Sequence, residues 1–117
     1  MLKKLKSNMD YGMFLPIQKA AIAAITGDQS EVEQVRAVYQ ERRDILCDGM
    51  SSLGWHMAKP DATMFVWGRI PAHYDSSEQF AMDLLTRAGV IVTPGSAFGP
   101  SGEGYVRLAL VQDQEQL

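Results

Sequence analysis

The sequence predicts an α/β (α+β) fold, a short sheet with helices packed on one face, and three observations carry it. Two helical patterns come first, in IQKAAIAAI and from Ser30 to Leu53. Aromatic or β-branched runs follow in WHM, TMFVWGRI, VIVT and YVRLALV, the residue types that fill pleated, half-buried surfaces. A third helical pattern separates the second and third of those runs. The expected order is N-terminal helices, then strand, strand, helix, strand, strand, the elements of a two-layer domain. With 117 residues and 46% hydrophobic content, one ordinary core is possible, and a single domain over residues 1–117 is expected.

Taken in order, LKKLKSN reads as the tail of something rather than a first element, its lysines Lys3, Lys4 and Lys6 keeping it solvated. Asn8 to Leu15 is irregular, since Gly12 breaks periodicity among Tyr11, Met13 and Phe14. Pro16 suits a helix's first turn, where its missing N–H costs nothing, and Gly27 stops the alanine-rich run that follows. Those alanines permit close approach of another backbone. Ser30 and Glu33 have capping-box spacing and open a longer helix that ends at Gly54. Val32, Val35, Val38, Tyr39, Ile45, Leu46, Met50 and Leu53 trace its apolar face. WHM (Trp55–Met57) reads as a short edge strand and TMFVWGRI (Thr63–Ile70) as an inner one. Asp75, Ser76 and Ser77 offer N-caps for a helix through Ala88, with Phe80, Leu84 and Leu85 inward and Gly89 as its stop. VIVT (Val90–Thr93) and YVRLALV (Tyr105–Val111) flank a Gly/Pro/Ser loop. DQEQL (Asp113–Leu117) resembles an opening helical turn capped by Asp113. Both ends read as cut from a longer polypeptide.

Composition excludes several functions. A net charge of −3 argues against nucleic acid and membrane surfaces, which demand clustered positive charge. No apolar stretch reaches the length of a membrane span, and the first ten residues lack a signal peptide's apolar centre. The single cysteine, Cys47, fits a reducing cytoplasm and reads as a small core hydrophobe. His56 and His73 lack metal-ligand spacing, the acids are scattered, and Ser96 and Ser101 have no His–Asp partners. Neither a metal site nor an acid, base or nucleophile is indicated.

Two features remain. Gly95, Gly99, Gly102 and Gly104 match neither G-x-G-x-x-G nor a Walker pattern, so the loop reads as a flexible connection that permits positive φ and close backbone approach. Arg107 stands in YVRLALV, where alternation places it with Tyr105 and Ala109, opposite Val106, Leu108 and Val111. It either reaches solvent or an internal acid, or offers a planar guanidinium to a carboxylate.

Together, SNMDYGMFLPIQKAAIAA, YQERRDIL, MSSLGWHM, ATMFVWGRIP and GVIVTPGSAFGPSGEGYVRLAL resemble, in order, the C-terminal small domain of class I/II, fold-type-I pyridoxal-phosphate-dependent aminotransferases. The aspartate/alanine/LL-diaminopimelate group is the most similar. The resemblance covers nearly the whole chain, and its PG-x-x-FG…GEGYVRLAL segment is the most specific part. It implies that Arg107 grips the α-carboxylate of an amino-acid or 2-oxo-acid substrate, with Phe98 close by. It also implies a homodimeric parent, in which Asp10–Phe14 lies near the interface and Met13 and Phe14 reach the neighbouring subunit's active site. Pyridoxal 5'-phosphate would be the cofactor, and the small domain would close over the substrate. The family's Schiff-base lysine, pyridine-pairing aspartate, ring-stacking aromatic and phosphate-binding arginine have no counterpart here, so no cofactor-binding residue is expected in this chain. Lys3, Lys4, Lys6, Lys19 and Lys59 lie outside the lysine motif. The chain by itself is expected to be inactive. Carbon–sulfur lyases, cyclopropane-forming synthases and decarboxylases share the scaffold, and a non-catalytic module binding carboxylates or partners is the remaining alternative.

Overall fold

A computed structural model describes residues 1–9 and 12–113. Two compact units make up the chain, Met1–Val35 and Arg36–Leu117.

The first unit holds α1 (Leu2–Met9), α2 (Leu15–Thr26) and the start of α3 (Ser30–Ser52). LKKLKSN, expected to be the tail of something rather than a first element, lies within the first helix. Lys3, Lys4 and Lys6 interrupt an apolar set at Leu2, Leu5 and Met9, spacings of three and four that return to one helical side. In α2, Pro16 occupies the first turn as expected. The Gly27 N–H donates to Ala23 O, and a Cβ at Gly27 would lie 2.7 Å from that oxygen. At α3, Ser30 is already helical. Its N–H and hydroxyl both donate to the Asp28 carboxylate, so Asp28 supplies the side-chain acceptor in the Ser30 turn. These hydrogen bonds, the Ser30 hydroxyl first, hold Asp28 below the usual aspartate range.

The second unit contains the sheet. β3 (Tyr105–Ala109) is central, paired antiparallel with β1 (Phe65–Arg69) on one side and β2 (Thr93–Pro94) on the other. One sheet face is the core: Val66 and Val106 are fully buried and Leu108 nearly so, packed with Leu46, Cys47, Met57, Phe80 and Leu110. α3 and α4 (Ser77–Ala88) supply the helical layer of this core.

Several expected details shift. Of the apolar face assigned to α3, Leu46 is buried and Tyr39 and Met50 pack against the core, while Val32, Val35, Val38, Ile45 and Leu53 are exposed. Leu85 is 41% exposed rather than inward, because it sits about 140° around the helix from buried Phe80. Leu84 packs against the core as expected. Trp55–Met57 forms no strand. Its side chains do the packing instead: Met57 is buried, and Trp55 Nε1 donates to Arg69 O at 2.7 Å. Leu110, and not Val111, continues the buried alternation of β3. Cys47 is buried as expected, and burial pushes its thiol pKa up, which suits an inert packing role. The DQEQL turn falls largely on residues 114–117, outside the described residues, as does Asp10 of DYGMF.

Candidate carboxylate site on the open sheet face

The register that buries Val66, Val106 and Leu108 turns their neighbours to the opposite face. Phe65, Trp67 and Arg69 of β1 stand there beside Ala109, Arg107 and Tyr105 of β3. Strand alternation thus fixes Arg107 on the side away from the core.

Two aromatic rings flank the Arg107 guanidinium. Its Cζ lies 4.1 Å from the centroid of Phe65 and 4.6 Å from that of Phe98. Contacts of this kind contribute about 0.5–2 kcal/mol each. The hydrogen bonding is poor by contrast. Nη2 makes a 3.5 Å contact to Thr93 Oγ1, and Nε is buried with no partner. Among the described residues no carboxylate pairs with Arg107. A buried donor without an acceptor costs about 1–3 kcal/mol and calls for an explanation, which an external acceptor would supply. Trp67 extends the aromatic wall, with ring centroids 5.4 Å from Phe98 and 6.5 Å from Tyr105. These three line an open cavity of about 350 Å³ with Ser101 and Gly102.

The loop that delivers Phe98 is built, not slack. Gly95–Phe98 and Pro100–Gly102 form two 3-10 turns folded against each other. A Cβ at Gly95 would stand 1.9 Å from Gly102 O, and one at Gly102 would stand 2.1 Å from Gly95 O. Only glycine fits that crossing. The expected close backbone approach is thus present, but it closes the loop rather than loosening it. The N–H groups of Gly99, Gly102 and Glu103 bond within the loop, and Gly104 N–H bonds the Glu103 carboxylate. A phosphate cradle needs such donors free. This loop therefore does not fit the phosphate of pyridoxal phosphate.

Of the residues expected at a site, the structure brings Arg107 and Phe98 together. Met13 and Phe14 belong to the first unit, both exposed, next to and at the N-terminal edge of α2. Sequence reading missed three contributors. Phe65 was recoverable, since counting by two from Arg69 puts it on the Arg107 face once β1 and β3 are paired. Ser77 and Glu103 were not. Ser77, the first residue of α4, is fully buried, and its N–H donates to Glu103 Oε1 at 2.6 Å across 26 residues of sequence. The Gly104 and Ser77 N–H groups hold Glu103 below the usual glutamate range.

Other clusters offer less. A cavity of about 420 Å³ lies between α3 and the Pro60–Met64 turn, where Thr63 takes a left-handed φ of 80°. Its arginines are engaged, Arg43 by Asp44 and Pro60 O and Arg36 by Gln40. Among the described residues no three His, Cys, Asp or Glu side chains converge on a metal position, and no helix is long and apolar enough to cross a membrane.

Comparison with known proteins gives the fold and the cluster a context. The chain is 51% identical over 116 residues to the LL-diaminopimelate aminotransferase of Moorella thermoacetica, covering 99% of this chain and 30% of that protein. It is 48% identical to LL-diaminopimelate aminotransferase 2 of a Nostoc species, again over 99% of this chain and 30% of the relative. Among solved structures, substrate-bound BacF from Bacillus subtilis matches with a TM-score of 0.81 at 40% identity, over 96% of this chain and 29% of that one. An aminotransferase from Staphylococcus aureus matches with a TM-score of 0.85 at 31% identity, over 98% and 30%. The chain thus spans about 30% of the length of the curated relatives it matches. The sequence model of the family described as "Aminotransferase class I and II" matches residues 1–117, and the chain belongs to that family.

Proposed function

We propose that this chain is the C-terminal, substrate-carboxylate-binding part of a pyridoxal-phosphate-dependent aminotransferase. In the whole enzyme it would act in amino-group transfer between an amino acid and a 2-oxo acid, in the cytoplasm and as a homodimer. One observation carries the reading: the Arg107 guanidinium lies against the rings of Phe65 and Phe98, with a buried Nε that has no partner. A carboxylate is the acceptor that a planar guanidinium fork matches, through two parallel N–H···O bonds. Fixing one end of the substrate in this way turns binding energy into orientation. The rings of Phe65 and Phe98 cover part of the guanidinium, and partial desolvation strengthens that bond. Met13 and Phe14, both exposed, fit contacts to a neighbouring subunit.

The cofactor's chemistry, an electron sink for the amino acid's Cα, would come from outside this segment. The purified chain treated with pyridoxal phosphate and borohydride is expected to show only scattered, sub-stoichiometric lysine labelling by mass spectrometry; a stoichiometric adduct at one lysine would overturn that assignment. In an enzyme carrying this segment, Arg107→Ala is expected to lower kcat/KM for amino acids on the order of 100-fold or more, the cost of truncating one partner of a desolvated charge pair. Arg107→Lys should recover little of it, since lysine lacks the fork. An unchanged kcat/KM in Arg107→Ala would remove Arg107 from the site.

A further inference from the structure

We propose that Ser77 and Glu103 are positioning residues for Arg107: they latch both ends of the Phe98 loop to the first turn of α4 and so seat the Phe98 ring on the guanidinium. The proposal rests on Arg107 being the carboxylate site.

The two rings that flank Arg107 are fixed by different means. Phe65 belongs to β1, whose ladder with β3 runs over the whole strand, so its place beside Arg107 follows from sheet register. Phe98 has no ladder. It is 50% exposed and ends the first 3-10 turn, so packing alone does not hold its ring 4.6 Å from the arginine. The loop must be tied down at both ends, and one buried residue does this. The Ser77 hydroxyl accepts from Ser96 N–H at the loop's start, at 3.2 Å. The same hydroxyl donates to Glu103 Oε2 at the loop's end, also at 3.2 Å. Glu103 Oε1 closes the circuit by accepting from the N–H groups of Ser77 and Gly104.

Ser77 thereby uses its one hydroxyl proton and a lone pair on opposite ends of one loop. Alanine at 77 leaves Ser96 N–H and one Glu103 oxygen without this partner. The crossing of Gly95 and Gly102 makes the loop move as a unit, so slack at either tie displaces Phe98. Arg107 itself, on the central strand, stays in place. The latch therefore governs one wall of the site without touching the substrate.

The test is nitrogen–proton NMR on the full chain, reading the Arg107 side-chain Nε–H. Ring currents from Phe65 and Phe98 displace that resonance, and Phe98→Leu marks its position with one ring removed. In Ser77→Ala and Glu103→Ala the resonance is expected to move most of the way to that mark, while the methyl signals of Val66 and Val106 stay put. A resonance unmoved in both folded variants overturns the proposal, as does one that moves only when the core methyls move. Should Ser77→Ala fail to fold, Glu103→Ala decides alone, its side chain being at the surface. A sodium acetate titration of the unmodified chain separates the two ideas. Acetate that never perturbs Arg107 Nε–H counts against the carboxylate reading, while the response to the variants still judges the latch.

Discussion

Two helices of 12 residues each, α2 and α4, show how differently equal lengths of chain are held. In α4, Ser76 caps the N-terminus by accepting from Gln79 N–H, and Gly89, at φ 69°, closes the C-terminus in the left-handed region. The helix buries Phe80 and Ala81 in the core and Ser77 in the loop latch. In α2, Phe14 provides no side-chain cap, Gly27 leaves in an extended conformation, and no residue is buried. Ile17, Ile22 and Ile25 are all more than half exposed. An isolated helix of this length is marginal in water, even when rich in alanine. Alanine gives α2 its helical propensity; tertiary packing gives α4 its place.

Substitution at matched apolar positions breaks or sharpens that contrast. Phe80→Ala should cost about 3–5 kcal/mol, because it removes a buried ring and leaves a cavity beside the sheet. Urea denaturation with tryptophan emission reads this directly, since Trp55 lies edge-on to Phe80 with centroids 5.3 Å apart. A loss below about 1 kcal/mol would mean that α4 is not anchored through this ring.

Ile22→Ala in α2 should change global stability by no more than about 0.5 kcal/mol, as for an ordinary surface site. Ile22 is 61% exposed, so little apolar area is removed from the folded state. The same titration at low protein concentration checks it. A cost near that of Phe80→Ala would show that α2 is covered in solution, which would erase the contrast.

The same two helices mark what the sequence could tell. Both were legible, because Pro16, Ser76, Gly27 and Gly89 are local signals that act within one turn. β1 and β3 were legible as strands from β-branched and aromatic runs, although β1, expected as an inner strand, is an edge of the sheet, and Arg107 stood out as a charge between buried neighbours. The sequence showed neither which apolar residues of α3 stay exposed nor that Trp55–Met57 packs by side chains without a ladder. Both depend on tertiary packing, which no local pattern encodes. The character of the glycine loop was half legible: glycines at Gly95 and Gly102 signalled close approach, but nothing local said that they approach each other. The Ser77–Glu103 tie is a tertiary pairing with no periodic signature. Phe65 needed only the register, and Phe98 needed the family resemblance.

The smallest effect expected concerns pH, and it again separates the regions. Glu103 has its folded pKa lowered from an ordinary 4.5 by the N–H groups of Gly104 and Ser77. A group whose folded pKa lies below its unfolded one contributes stability that is complete above the unfolded value. That contribution is lost as pH falls through the folded value. The stability difference between the unmodified chain and Glu103→Gln should therefore be present at neutral pH and shrink as pH drops below about 4.5. Asp83, held low first by the Tyr74 hydroxyl, and Asp44, held low first by Arg43, keep their own acid sensitivity in both proteins. The two curves should consequently converge without becoming flat. Urea midpoints at neutral pH and at successive steps below pH 4.5 check this, and curves that stay parallel would mean the Glu103 carboxylate carries no charge-dependent bond to α4. In the first unit, Asp28 is the matching case, held low by the Ser30 hydroxyl. Its bonds are confined to one turn, so Asp28→Asn should leave the acid limb of global unfolding where it was, whereas Glu103 joins two elements of the core unit and must register there.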